Sequence, residues 1–202
     1  MDINLDLLVF FHALTALFVI IDPIGLALIF NALTKGQSTR EKFFQAFKAS
    51  IISALLLVLF GNYGASLLSY LGISINALKI SGGVLLFYTA FQMINSELKF
   101  RMEEQVEDIS VYPMSIPLLA GPGSLTVSIL LFSSVTSSTD QLAIFTAVIL
   151  ICTLTCLLMS CSIYLKKIVG KTGDEILRRF LGVLLAALAI QFILDGLSSI
   201  LN

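Results

Sequence analysis

Charge is what this sequence has least of. Asp, Glu, Lys and Arg make up 12% of its 202 residues, about half the share of a soluble domain. The formal net charge is −1, with no basic patch dense enough to hold phosphates, so nucleic-acid binding is excluded. No Gly-x-x-x-x-Gly-Lys-Ser/Thr motif is present, which excludes ATP-driven pumping by this chain alone. The three cysteines, Cys152, Cys156 and Cys161, share one apolar stretch, which is no disulfide framework. With the single His12 far away and no carboxylate between them, they form no metal-binding pattern either, and no cofactor is expected. Asp2 and Asp6 stand where a cleavable leader would carry basic residues, so the first apolar segment is expected to be retained.

Apolar residues fill the space that charge leaves. They make up 57% of the chain, and mean hydropathy is +0.99. Residues 7–21, 49–78, 80–96, 109–139, 141–165 and 180–194 contain no Asp, Glu, Lys or Arg. A helical span needs ~20 apolar residues. We therefore expect an all-α membrane protein with six helices, over 7–33, 43–64, 76–96, 112–134, 141–165 and 176–199. Gly61, Gly64 and Gly72 are expected to mark the exit and turn after the second span. Residues 97–110, the most polar stretch, read as a solvated cytoplasmic linker between 1–96 and 111–202.

The basic residues orient the chain. Lys35, Arg40, Lys42 and Lys48 lie near 34–48, Lys99 and Arg101 near 97–110, and Lys166, Lys167, Lys171, Arg178 and Arg179 near 166–179. Only Lys79 falls on the other side. The positive-inside rule puts these three loops in the cytoplasm and both termini outside, on the periplasmic face of a bacterial inner membrane.

The two halves resemble each other. An ungapped shift of 99 residues aligns Pro23 with Pro122, Glu41 with Asp140, Lys79 with Arg178 and Gln92 with Gln191. It also aligns Gly83-Val84-Leu85-Leu86 with Gly182-Val183-Leu184-Leu185. Thirteen positions are identical between 20–93 and 119–192, seven of them within 78–92. Three spans per half is an odd number, so the second half must enter the membrane upside down. Two inverted three-helix repeats are the plan of many secondary transporters, with substrate sites at broken helices near the midplane.

Both halves carry a helix breaker where a break would fall at mid-membrane. In the first it is Asp22-Pro23-Ile24-Gly25. Proline removes an amide donor, and an ionisable group at membrane depth is costly and usually functional. Asp22 either caps the half-helix that follows or titrates as a proton or cation site. In the second half it is Gly121-Pro122-Gly123-Ser124-Leu125-Thr126. This run breaks the fourth helix and exposes amides at the start of the next half-helix, where a carboxylate can bind; the competing reading is a kink that serves packing alone. Ser124 and Thr126 add hydroxyls. Gln92 and Gln191 lie late in the third and sixth spans, as interior glue or pocket lining. An amino-acid zwitterion suits such a pocket, with its carboxylate at the amides after Pro122 and its ammonium near Asp22.

At these residues the chain resembles the MarC family of integral membrane proteins. Three blocks carry the resemblance: Asp22-Pro23-Ile24-Gly25 running to Ala32-Leu33-Thr34; Gly72-Ile73-Ser74 through Gly82-Gly83 to Phe87; and Ile116-Pro117-Leu118-Leu119-Ala120-Gly121-Pro122-Gly123. The chain departs from the family pattern at Leu26 and Leu28, where Asn and Pro are usual, and at Lys79, where Arg is usual. The resemblance implies six spans, a place among LysE-like exporters, and a link to glycine and alanine transport. The resulting expectation is a secondary transporter of small neutral amino acids, acting as an exporter coupled to a proton or sodium ion. It would be no enzyme, would sit in the lipid bilayer and would allow a homodimer. A non-transporting membrane scaffold or partner-binding protein, and an exporter of another small metabolite, are the competing readings.

Overall fold

The computed structural model describes residues 3–95 and 108–201, all helical apart from short connections. The linker expected over 97–110 lies outside the described residues as far as residue 107. In chain order the elements are α1 (Ile3–Ile21), α2 (Pro23–Leu33), α3 (Thr39–Tyr70), α4 (Ile75–Asn95), a widely wound segment (Ser110–Leu119), α5 (Pro122–Ser133), α6 (Ser138–Ser160) and α7 (Ser162–Leu201). Five stretches among the described residues are long and apolar enough to cross a membrane. The wound segment with α5 makes a sixth if that pair, bent by 56°, is one span.

Local chemistry sets the boundaries. Ser38 and Glu41 form a capping box that starts α3: Glu41 N–H donates to Ser38 Oγ at 3.3 Å, and Ser38 N–H to Glu41 Oε2 at 2.7 Å. Gly72, with φ of 72°, ends it. The Ile73 N–H reaches back to Leu68 O at 2.8 Å and the Gly72 N–H to Ser69 O at 3.0 Å, a Schellman closure. These caps make α3 a helix of 32 residues, longer than the 43–64 expected. Its length of ~48 Å exceeds a hydrocarbon core of ~30 Å, so it tilts or projects.

The glycines at 61 and 64 do not mark a turn. Both are buried inside α3. A Cβ at Gly61 would stand 2.5 Å from the Phe132 ring, and one at Gly64 2.6 Å from Ile129 Cγ1. They are the face that lets α5 approach, as small residues do between membrane helices. The loop expected over 166–179 begins between the apolar stretches Ser138–Ser160 and Glu175–Ser199, but its backbone is helical within α7 apart from a break at Gly170 (φ 63°, ψ −178°). The fourth helix differs from the expected broken helix in its first half. Tyr112 and Ile116 are extended, both X-Pro bonds there are cis, and the turns close by i to i−5 bonds. Met114 N–H donates to Ile109 O at 3.1 Å and Ala120 N–H to Ser115 O at 2.7 Å.

Packing joins the elements in pairs. α1 and α2 pack on α6, the wound segment and α5 on α3, α3 on α6, α4 on α5, α2 on α7, and α4 most extensively on α7. Ala13, Leu17, Leu57, Leu86, Ile144 and Leu185 are fully buried between them. α4 and α7 are antiparallel and close. A Cβ at Gly83 would lie 2.7 Å from Ala189 O, and one at Gly182 3.2 Å from Ala90 O. Two hydroxyls tie the second broken element to α3: Ser115 Oγ donates to Ala49 O at 3.0 Å and Ser128 Oγ to Leu57 O at 2.7 Å. Ahead of the wound segment, Lys48 Nζ meets Asp108 Oδ2 at 2.6 Å, both side chains about half exposed. The Lys48 ammonium, with the Ser110 hydroxyl and amide, pulls the Asp108 carboxyl down to about 2.

Candidate functional site

Both helix breakers meet at one cavity of about 360 Å3. Asp22 forms the first. Its N–H closes α1 on Phe18 O at 3.0 Å, and its carbonyl opens α2 by accepting from Leu26 N–H at 2.9 Å. One residue can end one helix and start the next because it sits in the left-handed region, φ 46° and ψ 67°, which Asp tolerates better than most residues. Its Oδ1 accepts from Gly25 N–H at 3.0 Å, the N-cap bond. Pro23 at the first helical position has no N–H to satisfy. Gly25 fits closely: a Cβ there would lie 2.1 Å from Asp22 Oδ2, so the carboxylate would have to swing off its cap.

Gly121 forms the second breaker. It holds the cap position of α5 in an extended conformation, with Pro122 next and no side chain capping the end. Leu125 N–H donates to Gly121 O at 2.9 Å, so the helix's own ladder begins there. The Gly123 and Ser124 amides precede it and have no carbonyl within the helix to bond. A Cβ at Gly121 would come within 2.2 Å of Pro117 O, and one at Gly123 within 2.6 Å of Leu86 Cδ2. Backbone packing therefore fixes glycine at Gly121, while a flexible leucine tip faces Gly123.

The structure gathers half of the expected residues. Asp22, Gly25, Gln92, Pro122 and Gly123 line the cavity together. Pro23 and Gly121 set the two breaks but stand outside the lining. Ser124 and Thr126 also stand outside it, with their hydroxyls turned inward: Ser124 Oγ donates to Leu119 O at 2.8 Å and Thr126 Oγ1 to Pro122 O at 2.8 Å. Gln191 is exposed on α7, where its Nε2 donates to Asp195 Oδ1 at 2.7 Å. Gln92, its partner under the 99-residue shift, instead lines the cavity and bonds to no other described residue.

Sequence reading missed the rest of the α4 wall. Leu85, Tyr88, Thr89 and Gln92 line the cavity at i, i+3, i+4 and i+7, one face of a helix. Three polar side chains on one face of an apolar span were the signal available. Ile20, Ile21, Leu26, Ile29, Met93 and Leu118 make most of the remaining surface apolar. Chemically, the cavity offers a carboxylate, an amide, the unladdered backbone N–H of Gly123 and an aliphatic wall. That set suits a small solute carrying both charges and a short apolar part.

Comparison with known proteins agrees with the fold. The pattern described as MarC family integral membrane protein matches residues 7–201. The chain is 37% identical to a UPF0056 membrane protein of Archaeoglobus fulgidus, covering 98% of this chain and 96% of that one. It is 32% identical to a UPF0056 membrane protein of Buchnera aphidicola subsp. Acyrthosiphon pisum, covering 96% and 94%. With the UPF0056 membrane protein YvbG of Bacillus subtilis it shares 30% identity over 92% of each. No solved structure matches. With residues 7–201 matched and these relatives covered almost end to end, the chain belongs to the MarC family of integral membrane proteins.

Proposed function

We propose that this protein is a secondary transporter of small neutral amino acids, of the glycine and alanine type, working as an exporter in a bacterial inner membrane. The observation that carries this reading is the meeting of Asp22 with the side-chain-free start of α5 at one cavity. The substrate carboxylate would occupy the α5 end, where the helix dipole and the Gly123 amide favour an anion. The ammonium would sit toward Asp22, and Gln92 would bond either group. The aliphatic wall would take the side chain. A proton or sodium ion at Asp22 is the coupling ion in this reading.

An inverted repeat supports transport as the purpose of the fold. Under the 99-residue shift the packing pairs exchange: α4 on α5 with α2 on α7, and α5 on α3 with α2 on α6. Gly83 against Ala189 exchanges with Gly182 against Ala90. Antiparallel helices related in this way would fit a two-fold axis across them, lying in the membrane plane. The cavity uses the late half of α4 and the start of α2, so it would open toward the side of the basic loops.

Ligand-induced thermal stabilisation of the purified protein tests the substrate class. Alanine should stabilise it; alaninamide, which lacks the carboxylate, and lactate, which lacks the ammonium, should not. Stabilisation by lactate equal to that by alanine would remove Asp22 from the site and point to another small metabolite. Stabilisation by none of the three would end the amino-acid reading.

A further inference from the structure

A second opening shares no lining residue with the substrate cavity. It is a groove of about 340 Å3 between α3 and α6, open along the membrane-facing surface. Phe43 and Phe47 form its rim, their rings stacked at 6.1 Å, and Ser50, Ala54, Cys152 and Cys156 form its floor. Nearly all of its lining is apolar, so in a bilayer a hydrocarbon chain fills it.

Two features make the groove more than a slot for any lipid tail. Ser50 is 6% exposed, lines the groove, and its hydroxyl has no hydrogen-bond partner. Thr153 Oγ1, also in the lining, is satisfied within its own helix on Ile149 O at 2.7 Å, whereas Ser50 Oγ, like the buried Ser53 Oγ one turn along α3, is not. A buried hydroxyl without an acceptor is costly at membrane depth, and an ester carbonyl hanging below a lipid headgroup supplies one. Arg40 stands on the same face of α3, three and seven residues before Phe43 and Phe47. Its guanidinium lies 5.8 Å over the Phe44 ring and pairs with no carboxylate among the described residues. It leads the groove at the end where the basic residues of 34–48 gather, and guanidinium geometry matches a phosphate.

We infer that the α3–α6 groove is a binding site for one anionic glycerophospholipid. Its phosphate sits on Arg40, an acyl chain lies along the groove, and an ester carbonyl accepts from Ser50 Oγ. Charge complementarity chooses an anionic lipid over a zwitterionic one, and the orphan hydroxyl chooses an ester lipid over an ether lipid.

Native mass spectrometry of the full chain, released from micelles with equal phosphatidylglycerol and phosphatidylcholine of matched chains, tests this. The wild-type protein should retain phosphatidylglycerol by about fivefold, the worth of one basic residue at a lipid surface. Arg40→Gln should bring the two to parity, and Ala54→Leu, which fills the floor, should lower retention of both. Ester-linked phosphatidylglycerol should be held better than its ether-linked analogue, and Ser50→Ala should erase that difference. Parity in the wild-type protein, or a preference that Arg40→Gln leaves intact, would overturn the site. If Ala54→Leu fails to fold, the Arg40→Gln result and the ester-to-ether comparison decide the question without it.

Discussion

The starts of α2 and α5 align under the 99-residue shift and solve the same problem in opposite ways. Each begins with a proline at its first position, and each must satisfy amides that a helix cannot satisfy by itself. α2 does so internally, with the Asp22 carboxylate on Gly25 N–H. α5 carries Gly121 where α2 carries Asp22, and no side chain caps it. One half supplies its own anion; the other leaves the anion's place at a cavity lined by Pro122 and Gly123.

Substitutions can break that comparison, beginning with the most damaging. Gly121→Ala should unfold the second junction, because its Cβ would press on Pro117 O, a backbone atom, at 2.2 Å. A clash that only backbone movement relieves should cost about 3 kcal/mol or more, visible as a large fall in melting temperature in detergent. Gly25→Ala should cost less. Its Cβ meets the end of the Asp22 side chain, which can swing away with loss of the cap bond, about 1–2 kcal/mol. A melting temperature unmoved by Gly25→Ala would mean that the Asp22 cap contributes little.

The two glutamines sharpen the same contrast. Gln92 faces the cavity and Gln191 bonds Asp195 on an exposed surface. Gln92→Ala should weaken alanine binding by about fivefold, the worth of one neutral hydrogen bond, and Gln191→Ala should leave affinity unchanged. Equal effects in a titration would dissolve the asymmetry. The smallest effect belongs to Asp108, far from the cavity. Its carboxyl, held at about 2 by Lys48, lies below its ordinary value, so its contribution is present above pH ~4 and is lost as pH falls through about 2. An exposed pair contributes little, so Asp108→Asn should lower the melting temperature by under about 3 °C at pH 7. The two proteins should converge near pH 2.

Much of this was legible in the sequence because membrane depth punishes the residues that carry it. Charge-free runs located the spans, and proline beside Asp22 and Gly121 located the breaks, since neither pattern survives in a regular apolar helix. Capping chemistry was legible but outweighed: Ser38 and Glu41 extend α3 beyond the apolar stretch, because a solvated helix end obeys caps rather than hydropathy. Gly61 and Gly64 misled for the converse reason. In lipid a glycine is as often a contact surface as a turn, and only Phe132 and Ile129 across the interface decide between them. Ser124 and Thr126 were sound as polar residues but not as lining. A hydroxyl one turn into a helix can bond its own backbone, and rotamers are not written in composition. The Tyr88-Thr89-Gln92 wall was readable as a polar face and was passed over because no proline or charge announced it.

Counterflow of labelled alanine into liposomes holding the purified protein, beside Asp22→Asn, tests the two-pole site most directly. Asparagine keeps an acceptor for the Gly25 amide and removes the charge, so the fold should survive. Saturable exchange by the wild-type protein that falls at least about tenfold in the variant, roughly one charge-assisted hydrogen bond, is the predicted result. Exchange undiminished in a folded Asp22→Asn protein would contradict it and leave Asp22 a cap alone.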